Sequence, residues 1–247
     1  MLDAPPFRTL LLGPVRRGLG GLIGLLLLSV AAAPSLQAQS LEVGLQSGAS
    51  FSTFRGNTAV VRRGTFYDVQ WRTDAQVAGF VGIPLNDVIR LRPELRYLRK
   101  GANVEGSRAF SPSGGGEQVP LQETYRFSYL QLPVLLEARL PVTNRLQASV
   151  LLGPGVGLTV GTDIAEDPNS QTETIPESAV RDWDLTAITG LEAGYTLGSR
   201  GRLLLGANYG LGLSALTSND DAAVEQGKEA DIQSDAITVS LGYAYSF

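Results

Sequence analysis

The sequence predicts an all-β protein, an eight-stranded antiparallel up-and-down transmembrane β-barrel. Three observations predict it. Apolar residues alternate with small or polar residues at a period of two, in segments of about ten residues. Short and long connections between these segments alternate strictly along the chain. The composition suits one large β domain, with 29 Gly, 13 Pro, one Met and 18% charged residues among 247.

The predicted strands are the segments that carry this alternation. The clearest is the last, because every odd position from Ile237 to Phe247 is large and apolar or aromatic, and every even position is small or weakly polar. Each strand is therefore predicted to have one bulky apolar face and one slim, more polar face. The predicted strands are residues 41–53, 75–84, 88–100, 124–140, 146–162, 183–197, 202–216 and 236–247.

The connections between the predicted strands fall into two length classes. Tight turns are predicted at 85–87, 141–145 and 198–201, where turn-forming residues cluster. This asymmetry, with an even strand number, is typical of a transmembrane barrel with short periplasmic turns, long outer loops and both termini in the periplasm. The predicted long loops, polar and each of roughly twenty residues, are 54–74, 101–123, 163–182 and 217–235.

A soluble lipocalin-like barrel or a β-sandwich, with its apolar faces pointing inward, is the alternative. The interior of an eight-stranded barrel is only wide enough for side chains. Small residues and a few charges fit that space, whereas bulky Leu, Val, Tyr and Phe side chains fit better against lipid. The membrane barrel is therefore the preferred prediction.

The N-terminal residues 1–38 are predicted to be a cleaved signal peptide, followed by a barrel domain at 39–247. An apolar stretch, 19–33, is too short for a comfortable transmembrane helix and leads into small residues. We expect cleavage after Ala38, and an uncleaved membrane anchor is the alternative. The basic residues that precede the apolar stretch are Arg8, Arg16 and Arg17.

The composition excludes several classes of function. The chain has no His and no Cys, which removes His-dependent triads, thiol nucleophiles, disulfides and zinc sites. A formal net charge of -4 provides no basic field that would favour nucleic acid. We therefore predict that the protein is not an enzyme and has no cofactor, no metal site and no nucleic-acid partner.

Charged residues recur on the slim face of the strands and are predicted to meet inside the barrel as a structural network. Isolated charges away from water cost several kcal/mol each, so these residues are expected to pair. A proton or ion path is the alternative, and it needs a width that eight strands do not supply. Catalysis by a carboxylate pair such as Glu94 and Glu137 is a further alternative. The predicted network is Arg90, Arg92, Glu94, Arg96, Glu137, Arg139, Asp184, Glu192 and Arg202.

The alternation also assigns glycine and aromatic positions. Gly155, Gly157 and Gly161 are predicted on the inward face of one strand, where they leave room for bulky interior charges. Aromatic residues near the strand ends are interpreted as girdles at the two membrane surfaces. These are Tyr97, Tyr125, Phe127, Tyr129, Trp183, Tyr195, Tyr209, Tyr243, Tyr245 and Phe247.

Several segments resemble the strands of a known family. Residues 129–136 resemble its aromatic-leucine-polar-apolar-proline strand, and 153–158, 190–195 and 208–213 resemble its glycine-rich strands. On these segments the chain resembles the PorT-like, or outer membrane β-barrel domain, proteins of Bacteroidetes-type bacteria, in the wider class of small OmpA/OmpX-like barrels. The resemblance extends over the whole mature chain. It implies a location in the outer membrane of a Gram-negative-type bacterium.

The aromatic C-terminus looks like the signal by which barrel-assembly machinery recognises its clients, and the residues concerned are Tyr243, Tyr245 and Phe247. The expected function is a structural or surface-interaction role through the long extracellular loops. The alternative, which the PorT-like resemblance implies, is an accessory role in protein secretion or in small-solute or lipid transport. Expected partners are outer-membrane lipid, the assembly machinery and an extracellular or secretion-system protein.

Overall fold

The computed structural model describes residues 41–56, 65–110, 117–166, 181–215 and 232–247. These residues form eight antiparallel strands, each paired with the next and the last paired with the first, so the sheet closes into a barrel. This confirms the predicted fold class. The strands are β1 (Glu42–Gly56), β2 (Thr65–Pro84), β3 (Ile89–Phe110), β4 (Glu117–Pro141), β5 (Leu146–Glu166), β6 (Trp183–Leu197), β7 (Gly201–Gly212) and β8 (Ile232–Ser246).

The barrel belongs to the compact unit Ser40–Phe247. The predicted signal peptide, 1–38, lies outside the described residues and stays a prediction. No helix in the described part of the chain is long and apolar enough to cross a membrane.

The alternation along each strand separates an outer apolar face from an inner slim face. On β8 the side chain of Leu241 is 64% exposed, whereas its neighbour Ser240 is 2% exposed. On β6 the same contrast separates exposed Leu191 from buried Glu192. Because successive side chains point to opposite faces of a sheet, this pattern continues around the barrel. Bulky aliphatic residues form the outer wall, and small or charged residues face the lumen.

The tight turns lie at the same end of the barrel as the first residue of β1 and the last residue of β8. In the first turn Asn86 Oδ1 accepts hydrogen bonds from the backbone N–H groups of Val88 and Ile89, at 2.9 and 2.7 Å. The turn before β7 contains Gly198 at a φ of 65°, a conformation that glycine adopts without strain. At the same end, the Phe247 N–H donates to the Leu41 carbonyl at 3.0 Å. In barrels of this pattern, that end faces the periplasm.

At the other end, four neighbouring strands are longer than the sequence predicts. β2, β3, β4 and β5 have 20, 22, 25 and 21 residues. The predicted loops 54–74 and 101–123 are therefore largely wrong, because β3 and β4 stay paired from Gly101↔Arg126 to Phe110↔Glu117. A membrane-spanning strand needs only about 9–11 residues. Roughly half of each of these strands thus projects beyond the membrane as a four-stranded sheet, which we call the projecting sheet.

The pairing of β4 with β5 contains one extra residue, which reverses a predicted side-chain direction. Tyr129 pairs with Thr159 and Ser128 pairs with Gly161, so Val160 has no partner of its own in this ladder. An extra residue of this kind moves all residues beyond it to the opposite face. Gly161 shares a face with Ser128, which lies on the outer face between two inward neighbours. The predicted inward position of Gly161 is therefore wrong.

The first prediction concerns closure. Deleting Tyr243–Phe247 should abolish folding, because Tyr243 pairs with Leu45 of β1 and with Leu203 of β7. The deletion leaves backbone groups of both strands unpaired in lipid, where no water replaces their hydrogen bonds. The measurement is the difference in gel mobility between heated and unheated protein after refolding in detergent. A truncated chain that keeps this difference would show that the barrel closes without these pairs.

The second prediction tests the lipid-facing wall. Leu136 is 51% exposed and pairs on the outer face with Leu91 and Leu152. Leu136→Arg should reduce the free energy of folding into vesicles by about 2–4 kcal/mol, because it places a charge near the bilayer midplane. Leu140→Arg, nearer the periplasmic turn, is the depth control and should cost about 0–1 kcal/mol. Equal effects in urea titrations would contradict a lipid-facing wall.

Candidate functional site

The lumen contains ionised side chains from β1, β3, β4, β6 and β7. The structure places every residue of the predicted network on the inner face, and Arg92 and Glu137 are 1% and 0% exposed. It adds Glu42 and Lys100, which are equally buried. The sequence analysis missed these two, although both occupy even positions in strands whose even positions face inward. We call the whole set the lumen network.

The periplasmic part of the lumen network is centred on Glu42. Its carboxylate lies 2.6 Å from Arg202 Nη2, 3.1 Å from Arg139 Nη2 and 3.7 Å from Arg90 Nη1. Arg139 also contacts Glu137 at 2.8 Å. Ser149 Oγ donates a further hydrogen bond to Glu137 at 2.9 Å. The carboxylates of Glu42 and Glu137 thus each contact more than one hydrogen-bond donor, as buried carboxylates require.

The middle of the network is centred on Arg92. Its Nε lies 2.9 Å from Glu94 and its Nη1 lies 2.9 Å from Glu192. The guanidinium stacks over the Phe80 ring, with its central carbon 3.7 Å from the ring centroid. Glu94 is shared with Arg96, whose Nη2 is 2.6 Å away. Arg92 therefore joins two carboxylates from different strands across the barrel.

The outer part of the network is an ion pair between Lys100 and Asp184. Lys100 Nζ donates to Asp184 Oδ2 at 2.8 Å. Asp184 also accepts from the hydroxyls of Ser214 at 2.8 Å and Thr186 at 3.2 Å. Gln131 Nε2 donates to Thr186 Oγ1 at 3.2 Å. Polar side chains of β4 and β6 and the residues after β7 thus support this pair.

Beyond the ion pair, aromatic residues occupy the lumen. Tyr125, Phe127 and Tyr129 are buried together with Leu98 and Ile232. Their predicted place in a membrane girdle is wrong, because odd positions of β4 face inward, as Gln131 and Glu137 do. The other predicted girdle residues are on the outer face or at the C-terminus. These are Tyr97, Trp183, Tyr195, Tyr209, Tyr243, Tyr245 and Phe247.

The chemistry available to the lumen network is limited by its pairing. Glu94 and Glu137, the alternative catalytic pair, are both buried and both contact arginines. A carboxylate held this way is not free to accept a proton from a substrate, and among the described residues the side chains around both acids fill the lumen. In the described residues, no three acidic side chains are placed to hold a metal ion. In the described part of the chain, the paired charges and the aromatic residues fill the lumen.

The match to a known family settles the class of protein. Residues 37–218 match the family described as outer membrane protein beta-barrel domain. The chain belongs to this family. It is a small outer-membrane β-barrel protein, in a family of structural barrels that are typically non-enzymatic, and its place is the bacterial outer membrane. Comparison with curated proteins gives no match.

Solved structures with a similar fold are outer-membrane proteins of low sequence identity. The attachment invasion locus protein Ail of Yersinia pestis is 11% identical, over 85% of this chain and 100% of its own, with a TM-score of 0.39. Neisserial surface protein A is 10% identical, over 83% and 97%, with a TM-score of 0.40. A major outer membrane protein from Thermus thermophilus is 14% identical, over 85% and 100%, with a TM-score of 0.43.

The third prediction tests the stabilising role of the lumen network. Glu137→Ala should lower the free energy of unfolding by about 3–5 kcal/mol, because it leaves Arg139 without one of its two carboxylate partners in a dry interior. Asp87→Ala, in the exposed turn before β3, is the matched control and should cost about 0–1 kcal/mol. Urea midpoints of refolded protein measure both. A Glu137→Ala midpoint no lower than that of Asp87→Ala would show that the ion pairs do not hold the barrel together.

Proposed function

We propose that the protein is a surface-interaction protein, in which the plugged barrel is the anchor and the projecting sheet carries the binding surface. The observation that carries this proposal is the difference in strand length. β2 to β5 have 20 to 25 residues, whereas β1, β6, β7 and β8 have 15, 15, 12 and 15. Spanning the membrane requires none of the extra residues. Their function is therefore on the extracellular side.

Residues suited to binding lie at the base of the projecting sheet. Trp71 is 51% exposed and pairs with Ala102, beyond the part of β2 that spans the membrane. Arg126 of β4, which pairs with Gly101 at nearly the same level, is also partly exposed. Tryptophan and arginine are the residue types that most often dominate binding energy at protein interfaces. These two side chains favour a protein or glycan partner.

The alternative proposal is a PorT-like accessory role in protein secretion or in small-solute or lipid transport. The filled lumen argues against solutes passing through the barrel itself, since Arg92, Tyr129 and Leu135 are buried across its interior. In this role the protein would act by contact with other proteins. Outer-membrane lipid and the assembly machinery are further proposed partners, the latter through Tyr243, Tyr245 and Phe247.

The fourth prediction tests the surface-interaction proposal. Residues 103–124 are replaced by Asn-Gly, which joins the paired residues Ala102 and Tyr125 through a two-residue hairpin turn. The shortened barrel should fold with normal heat-dependent mobility. Cells that display it should lose the adhesion that the full protein gives to glycan-coated or protein-coated surfaces. Trp71→Ala, which leaves the strands intact, should weaken the same adhesion.

Secretion assays on the same strains separate the two proposals. Lost adhesion with unchanged export of secreted proteins supports surface interaction. Impaired secretion with unchanged adhesion supports the accessory role. Unchanged adhesion in a shortened barrel would overturn the proposed role of the projecting sheet.

A further inference from the structure

Two arginines lie on the outer face of the barrel, at the level where the strands leave the membrane. On β3, Arg99 follows the exposed Leu95 on the same face and lies ten residues beyond Ile89, the first residue of the strand. About 9–11 residues of a strand cross the membrane. Arg126 of β4 pairs with Gly101, two residues beyond Arg99. Both guanidiniums therefore lie at the depth of the lipid headgroups on the extracellular side.

The two arginines are close neighbours on this face. Arg99 pairs with Ser128 across the ladder, so Arg126 is its diagonal neighbour. Diagonal side chains of neighbouring strands are roughly 7–8 Å apart, a distance that long side chains reach across. The residues beside them are small, because Gly101 pairs with Arg126 and Gly161 pairs with Ser128. Both guanidiniums can thus converge on one group at the membrane surface.

The carboxylate nearest to these arginines is already used by a third arginine. Asp74 is 8% exposed and accepts two hydrogen bonds from Arg72, at 2.6 and 3.2 Å. Arg126 Nε lies 3.8 Å from Asp74, too far for a hydrogen bond, and has no hydrogen-bond partner within the described part of the chain. Arg99 Nε donates to the neutral Tyr97 hydroxyl at 3.4 Å. One carboxylate thus lies among three guanidiniums, and its hydrogen bonds go to Arg72.

Neither arginine hydrogen-bonds to a carboxylate among the described residues, although both are accessible. Arg99 is exposed, and the Arg126 side chain is 36% exposed. Asp163 lies opposite Arg126 in the β4–β5 ladder and is exposed, but the described residues show no ion pair between them. By contrast, Arg55 of β1, toward the same end of the barrel, forms an ion pair with Asp235 at 3.1 Å. The charges of Arg99 and Arg126 are therefore left for the headgroup layer to neutralise.

We propose that Arg99 and Arg126 together bind the phosphate monoester of a lipid headgroup in the outer leaflet. A phosphate monoester carries a charge of about −1.5 to −2 at pH 7 and three acceptor oxygens, which matches two guanidiniums. Arginine binds phosphate through two parallel hydrogen bonds. The phosphodiester of a zwitterionic lipid carries one negative charge, which the cation of its own headgroup offsets. This site specifies how outer-membrane lipid, one of the partners proposed above, is bound, and it rests on that part of the proposed function.

Folding in vesicles of defined composition tests the site. The full barrel is refolded into phosphatidylcholine vesicles with or without lipid A, a glycolipid that carries two phosphate monoesters. Lipid A should raise the urea midpoint, because a ligand that binds only the folded state stabilises it. Lipid A from which both phosphates have been removed has the same acyl chains and should give no increase. An equal increase with this lipid would assign the effect to the acyl chains and overturn the proposal.

Variants on the outer face supply the matched controls. Arg99→Gln and Arg126→Gln combined should abolish the increase, and each alone should weaken the apparent affinity for lipid A by about tenfold. Arg55→Gln changes an arginine that has its own carboxylate and should retain the increase. Asp163→Asn removes a negative charge beside Arg126 and should strengthen binding. An equal loss in Arg55→Gln, or weaker binding in Asp163→Asn, would contradict a local phosphate site.

Two further measurements separate this site from free phosphate and from adhesion. Inorganic phosphate in solution should leave the urea midpoint unchanged, and an increase equal to that with lipid A would overturn the lipid as the source of the phosphate. The barrel shortened at residues 103–124 keeps Arg99 and Arg126, so it should still respond to lipid A even where adhesion is lost. If the double variant does not fold, native mass spectrometry of the unaltered protein decides, since it should retain lipid A and release the form without phosphates. Equal retention of both forms would overturn the site.

Discussion

Closure of the backbone ladder between β1 and β8 is the constraint on which the rest of the structure depends. The two strands pair without interruption from Glu42↔Ser246 to Gly56↔Ile232, which joins the start of the barrel to its end. In lipid an unpaired N–H or C=O has no water to bind, so an open sheet of this kind would be unstable. Closure with eight strands then fixes a lumen only wide enough for side chains. The narrow lumen determines which side chains can face inward and how they must pair.

The narrow lumen explains why both glycines and arginines occur on the inner face, because each large side chain needs a small residue opposite it. A side chain at Gly194 would meet the Arg202 side chain, and one at Gly155 would meet Gln131 and Ile188. At Gly44 the space is filled by the Phe80 ring, on which Arg92 stacks. Small residues occupy the inner face at these positions because bulky side chains from facing strands already fill the space in the lumen. Arg92, Arg139 and Arg202 each contact more than one carboxylate, so most of the interior charges are paired by sharing rather than as isolated pairs.

Much of this structure could be predicted from the sequence, because the period of two determines both strand identity and facing. On β3, for example, the period of two is enough to predict that Arg92 and Glu94 face the lumen, even when their partners are unknown. Which glutamate pairs with which arginine could not be predicted. Glu42 and Arg202, for example, meet only because the strand register around the closed barrel brings them to the same level. The lengths of β2 to β5 were missed, since the residues that extend these strands are polar and rich in Gly, Ser, Asn and Asp, a composition typical of loops. Gly161 was assigned to the wrong face, because one unpaired residue, Val160, leaves no sign in a period-two pattern.

The register shifts mark the boundary between the anchor and the projecting sheet. Besides a shift between Phe66 and Asp68 near the start of β2, one shift lies between Trp71 and Gln76 of β2 and another lies at Ser128 and Tyr129 of β4. Both are near the level at which about 9–11 residues per strand have crossed the membrane. Below that level a shift would turn apolar residues into the lumen and charges into lipid, so the register is fixed there. Above it the outer face no longer meets lipid, so a shift there does not carry charged residues into the membrane. The anchor therefore fixes where the projecting sheet begins, while the shifts at its base determine which side chains it presents.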